Sequence, residues 1–142
     1  MRKTLAKNQR GAALIEAAVT IPIILLISVA IFEFGRAYQT WQVLTNAARE
    51  GARVAIISGT TQDQVKTTVV NYMNIGQLAN TSTDQVNVDQ NVTLGASTGS
   101  QVTISYPFEF IVLNPVARLV DRTSSTGAPI TMSAVAVMRN EG

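Results

Sequence analysis

The stretch Arg10-Gly11-Ala12-Ala13-Leu14-Ile15-Glu16, continuing as AAVTIPIILLISVAIFEF to Phe34, decides how this chain of 142 residues is read. As an α-helix, Ala12–Phe34 would span about 34 Å, enough to cross the ~30 Å hydrocarbon core of a bilayer. No charge falls between Ala17 and Phe32. Ahead of this run lie Arg2, Lys3, Lys7 and Arg10 with no acid among them. Such an excess of cations predicts an N-terminus held in the cytoplasm and everything beyond Phe34 on the outer side of the membrane.

Composition narrows the chemistry. The chain is 46% hydrophobic and 14% charged, against about 25% charged in an average soluble domain. It contains no cysteine and no histidine. That removes disulfide frameworks, thiolate zinc sites, Ser–His and Cys–His catalysis and imidazole metal ligation. The formal charge of +2 comes from the leader alone, since residues 12–142 carry fewer basic than acidic side chains. Nothing here points to a nucleic-acid partner. Asp63, Asp84, Asp89, Glu109 and Asp121 are dispersed. Asp84 and Asp89 could meet at a calcium ion, although two carboxylates in a polar segment are ordinarily just solvated. No phosphate loop or nucleotide fingerprint is present. No cofactor, no metal and no enzymatic activity are expected.

Three readings of the first segment compete. A secretory signal peptide would be cut after Ser28-Val29-Ala30, but its apolar region would be unusually long and Glu16 interrupts it. A permanent, uncleaved single-pass anchor would serve an envelope scaffold or adhesin. The third reading turns on Glu16. A lone carboxylate in an apolar helix costs about 2.5–3.5 kcal/mol at mid-membrane, so it calls for a partner or for snorkelling to the headgroups. Glu16 is the fifth residue after Gly11, and a basic leader, a glycine and an apolar helix with glutamate at its fifth position resemble the type IV prepilin signal.

That resemblance implies cleavage between Gly11 and Ala12 by a membrane prepilin peptidase on the cytoplasmic side. It implies that Glu16 neutralises the new terminal amine of a neighbouring subunit. Ala12 replaces the phenylalanine common at the first position of major pilins. Pro22 should bend the helix.

The helical pattern continues beyond the membrane. Glu33 and Arg36, three apart, are placed to pair where the chain leaves the bilayer. Phe34, Ala37, Tyr38, Trp41, Thr45, Ala48, Ala52 and Ala55 recur at spacings of three and four and read as one face. Tyr38 and Trp41 suit an interfacial belt or packing on the outer domain. The helix is expected to run from Ala12 to Ile57, with Ser58-Gly59 ending it. Glu33-Phe34-Gly35-Arg36-Ala37-Tyr38 followed by Val43-Leu44-Thr45-Asn46-Ala47-Ala48-Arg49-Glu50-Gly51-Ala52-Arg53 resembles the TadE-like family, small pseudopilins of the Tad (tight adherence) pilus system. The strong part of the resemblance covers residues 10–53. It implies a minor pilin needed for pilus assembly and surface adherence, with the inner membrane, a prepilin peptidase, other pilins or pseudopilins and the Tad secretion platform as partners.

Farther on, Thr61–Met73 reads as a second helix. A capping box is expected from Thr61 and Gln64, and a stop at Gly76. Val86/Val88 and Val92/Leu94 alternate. Gly95–Gly99 reads as a turn, and Val102, Ile104, Tyr106, Phe108 and Phe110 as a strand, with Pro107 marking a strand edge or end. Asn114 and Pro115 would open a short helix to Val120. Ile130–Met138, apolar on both faces except at Thr131 and Ser133, reads as the central strand. The expected fold is α+β: a long N-terminal transmembrane and amphipathic helix packed on a small antiparallel sheet, pilin-like. Its division would be a leader at 1–11, a membrane helix at 12–34 and an extracytoplasmic head at 35–142.

Overall fold

Between Gly11 and Gly35 nothing but Pro22 opposes a helix, and Pro22 does not end it. The computed structural model describes residues 3–95, 97–120, 122–123 and 125–140. In it α1 (Lys3–Ala55) is one uninterrupted helix of 53 residues, about 80 Å long. Met1 and Arg2, the start of the leader, lie outside the described residues, as does Asp121. Thr20 and Ser28 turn their hydroxyls back onto the carbonyls of Glu16 and Ile24, each at 2.8 Å, so the polar side chains within the apolar run donate internally.

The helix α2 (Gln62–Ile75) folds back along the second half of α1. Its start is the expected capping box: Thr61 Oγ1 accepts from the Gln64 amide, and Gln64 Oε1 accepts from the Thr61 amide. Gly76 caps the other end, as expected, although the helix runs to Ile75, two residues beyond Met73. Three strands follow as an antiparallel meander, β1 (Val86–Leu94), β2 (Ser97–Phe108) and β3 (Ile130–Arg139), in the order β1-β2-β3. A short helix, α3 (Leu113–Val120), lies between β2 and β3. The chain is therefore a long apolar N-terminal helix packed against a small antiparallel sheet.

Several expectations need correction. The central strand is β2, not Ile130–Met138; β3 pairs with β2 alone. Its second apolar face is not a buried one, because Val135 and Val137 remain exposed. The strand read as Val102–Phe110 stops at Phe108 and begins earlier, at Ser97, so the turn occupies less than Gly95–Gly99. Pro107 does mark a strand end: β1 pairs no farther along β2 than Ile104, and at Pro107 the remaining neighbour is Thr131 of β3. The helix α1 ends at Ala55, short of Ile57.

The face that α1 buries is also rotated from the one expected. Thr40, Leu44, Ala47, Ala48, Gly51, Ala52 and Ala55 are buried, whereas Phe34, Tyr38 and Trp41 are exposed. Against the buried stripe pack Val65, Val69 and Met73 of α2 and Val86, Val88, Val102, Ile104, Tyr106 and Ala134 of the sheet. Small residues on α1 let α1, α2 and the sheet approach one another closely. A Cβ on Gly51 would lie 3.3 Å from a Val102 methyl and closer still to a Val69 methyl. Both neighbours are β-branched and stiff at χ1.

The C-terminus of α1 is tied down by side chains from the sheet. Ser100 Oγ, fully buried, donates to the Ala55 carbonyl at 3.3 Å, and Gln90 Nε2 donates to Ala55 at 3.3 Å and to Thr60 at 3.0 Å. The last carbonyl of the helix, which lacks an intrahelical donor, is thus paired inside the head.

Gly51→Leu should destabilise the head by about 1–3 kcal/mol, the usual cost of overpacking a filled site. Gly35→Leu, where a Cβ meets nothing within 4 Å, should cost nothing. Thermal unfolding of the full-length protein in detergent micelles, followed by near-ultraviolet circular dichroism, distinguishes the two; equal midpoints would contradict this packing.

Candidate functional site

The first half of α1 has no protein cover. Leu14, Ile15, Val19, Ile21, Ile23, Ile24, Leu25, Leu26, Ile27, Ile31, Phe32 and Phe34 are all exposed. They lie all round the helix rather than on one stripe. A helix apolar on every side is stable only when something apolar surrounds it. It is also the one helix among the described residues that is long and apolar enough to cross a membrane, and none of its apolar window is buried. Leu14–Phe34 would rise about 31 Å, close to the thickness of a hydrocarbon core. This region is consistent with membrane association.

Within it, Gly11, Ala12 and Glu16 lie on exposed helix. Among the side chains described from Gly11 onward, none forms an ion pair with the Glu16 carboxylate. Pro22, lacking an N–H, leaves the Ala18 carbonyl without its usual helical donor.

Glu33 stands where the apolar half of α1 meets the head, and its surroundings are denser than its sequence neighbours suggest. It is 1% exposed. Its Oε1 accepts from the backbone amides of Val112, at 2.5 Å, and Leu113, at 3.4 Å. Its Oε2 accepts from Arg36 Nη1 at 2.9 Å. The two amides belong to the start of α3, so the carboxylate does what an N-cap side chain does, with the helix dipole adding to the attraction. This corrects the expectation that Asn114 and Pro115 open the helix, with Asn114 as its cap and Pro115 in its first turn. The helix α3 starts at Leu113, and the Asn114 side chain instead donates to the Thr126 carbonyl at 3.3 Å.

Arg36 completes the junction. Its guanidinium lies over the Phe108 ring, 5.2 Å from the centroid, and Nη1 also reaches the Glu109 carbonyl at 3.4 Å. Phe108 meets Phe110 edge to face at 5.2 Å. A cleft of about 240 Å³ opens beside it, bordered by Arg36, Gln77, Asn80, Tyr106 and Glu109. Two of its polar side chains, Arg36 and Tyr106, are already engaged. The Tyr106 hydroxyl donates to the Ala79 carbonyl at 2.8 Å, and burial pushes its pKa above the ordinary tyrosine value, which keeps the donor protonated.

Tyr38 and Trp41 are exposed neighbours on α1 with rings 6.2 Å apart, and Gln42 donates to the Tyr38 hydroxyl at 2.7 Å. Asp84 and Asp89 are engaged separately, Asp84 by the Ser82 hydroxyl and Asp89 by the Asn91 amide. Among the described residues no group of three or more acidic side chains is arranged to hold a metal ion.

This geometry assigns separate tasks to the two halves of one helix, and the family comparison falls on both. Residues 11–53 match the family described as TadE-like protein. The match runs from the first residue of the bare apolar segment to within one turn of the end of α1. It thus takes in Glu16, Pro22, Glu33, Arg36 and the close-packed Gly51, and none of α2 or the sheet. No curated protein and no solved structure matches the chain.

Removal of the Glu33 carboxylate should release α3. Glu33→Ala leaves two backbone amides and Arg36 without their acceptor, at a cost of about 2–3 kcal/mol. Hydrogen exchange at residues 112–120 should accelerate while α2 and β2 stay protected. Unchanged exchange at Val112 and Leu113 would contradict the capping role.

Proposed function

We propose that the chain is a minor pilin or pseudopilin of a Tad-type pilus, made as a precursor and cut between Gly11 and Ala12 by the prepilin peptidase of its own system. The observation that carries this reading is the TadE-like match laid along a helix that is bare and apolar over its first half and locked into a folded head over its second. A subunit built this way is stored in a membrane by the bare half and carries its head as a unit. The same half can then exchange lipid for the apolar helices of other subunits. This agrees with the pilin-like character of a long apolar helix on a small antiparallel sheet.

In this reading the basic leader stays cytoplasmic and the head lies outside. Residues 12–34 form the membrane helix and 35–142 the head. Glu16 lies one turn into the mature helix. Its cost in an apolar setting falls when it pairs with the amine that cleavage creates on an adjoining subunit. Pro22 loosens the helix where such packing needs it to adapt. Tyr38 and Trp41 stand just above the apolar belt with the mixed apolar and polar character of an interfacial pair. The partners are other pilins or pseudopilins, the peptidase and the secretion platform.

Mass spectrometry of the protein from its native membrane should give a mature chain beginning at Ala12. A chain that keeps Met1–Gly11 in cells with active prepilin peptidase would favour a permanently anchored scaffold. Glu16→Ala should reduce piliation strongly while membrane insertion is unchanged; normal piliation would remove its proposed role.

A further inference from the structure

The head has an apolar end that its own core does not explain. Ile111, Val116 and Leu119 are exposed on and just before α3, Leu119 at 85%. Ile130 is exposed at the start of β3, directly across from Phe108. All four lie at one end of the sheet. The opposite end is marked by Gln90 and Ser100, which bond the last carbonyl of α1. The α3 end is the one joined to Glu33, where the bare apolar half of α1 stops.

We infer that α3 is a membrane-surface helix, lying in the headgroup region with Val116 and Leu119 in the acyl boundary. The inference rests on the reading of α1 as a membrane helix and adds to it a second point of lipid contact. Three observations select lipid as the occupant. The first is position: the start of α3 is hydrogen-bonded to a residue one place before Phe34, the last side chain of the exposed apolar belt, so α3 is held at the level where that belt ends. The second is proximity: Ile31, Phe32 and Phe34 on α1 and Ile111 beside α3 are all uncovered, and the amide of Val112, next to Ile111, bonds Glu33, between Phe32 and Phe34. The third is charge: Arg118 is exposed in the last turn of α3, and Arg122 is exposed just beyond it. Cations flanking an apolar face at this level can lay their stems on the boundary and reach lipid phosphates.

This arrangement gives the head a fixed tilt on the bilayer. An 80 Å helix held by its span alone is free to rotate and lean, whereas a second contact beside the exit point restrains both.

The absence of cysteine makes the test direct. Single variants Ile24→Cys, Leu119→Cys and Asn91→Cys, each at an exposed site, are labelled with an environment-sensitive fluorophore in the full-length protein. They are reconstituted in phosphatidylglycerol–phosphatidylethanolamine vesicles with and without acyl-chain bromination. The expected result is blue-shifted emission and loss of intensity in brominated vesicles at positions 24 and 119, and neither at 91. Quenching at 24 but not at 119 would overturn the inference and leave the membrane helix standing. Quenching at neither would overturn both. Blue-shifted emission at 119 without quenching would mean that protein, a second copy or another subunit, covers α3, and it too would overturn the inference. A further arm replaces Arg118 and Arg122 with glutamine; quenching at 119 should weaken, and unchanged quenching would remove the phosphate contact from the proposal.

Discussion

One unbroken helix has to satisfy two different surroundings, and most of the structure follows from how it does so. Over Leu14–Phe34 most of its side chains are large, apolar and uncovered. Over Thr40–Ala55 its buried face is built mainly from alanine and glycine. Large side chains fit the first task, because an apolar medium needs surface and imposes no shape. Small ones fit the second, because α2 and the sheet must both come close to the same rod. Gly51, wedged between Val69 and Val102, is the tightest expression of that demand.

The change from one regime to the other occurs at Glu33. A buried carboxylate at the edge of an apolar run is costly unless it is fully paired. Here two amides and a guanidinium share it. The two amides come from a segment 79 and 80 residues away in sequence, so the pairing joins the point where α1 leaves its apolar half to the α3 end of the head. Ser100 and Gln90 do the corresponding work at the other terminus of the buried half. The head therefore grips the helix at both ends of their shared length.

What was legible in the sequence was local. The capping box at Thr61 and Gln64 and the apolar span needed nothing beyond a few neighbouring residues, and both appear in the structure. The rotational setting of α1 was not legible. Phe34, Tyr38 and Trp41 are the conspicuous residues of that stretch and drew the first part of the expected face toward themselves, whereas Ala48, Ala52 and Ala55 of that face are buried, beside Leu44, Ala47 and Gly51. Sheet order failed for a related reason. Val135 and Val137 make β3 look buried on both sides, yet they are exposed on an edge strand. The role of Glu33 had a visible half, its spacing from Arg36, and an invisible half, since no local pattern links it to Val112 and Leu113. Residue type and spacing made Glu16 conspicuous, but its proposed partner lies on another molecule.

The position of β3 in the chain sets the order in which the molecule can be completed. This strand packs on α1, which is made before it, and lines the far side of β2. Until Ile130–Arg139 has left the ribosome, β2 keeps an open edge and the alanine face of α1 lacks part of its cover. The helix can therefore settle into its final environment well before the head closes on it, and the interval between the two is when the unfinished sheet is most exposed to mispairing.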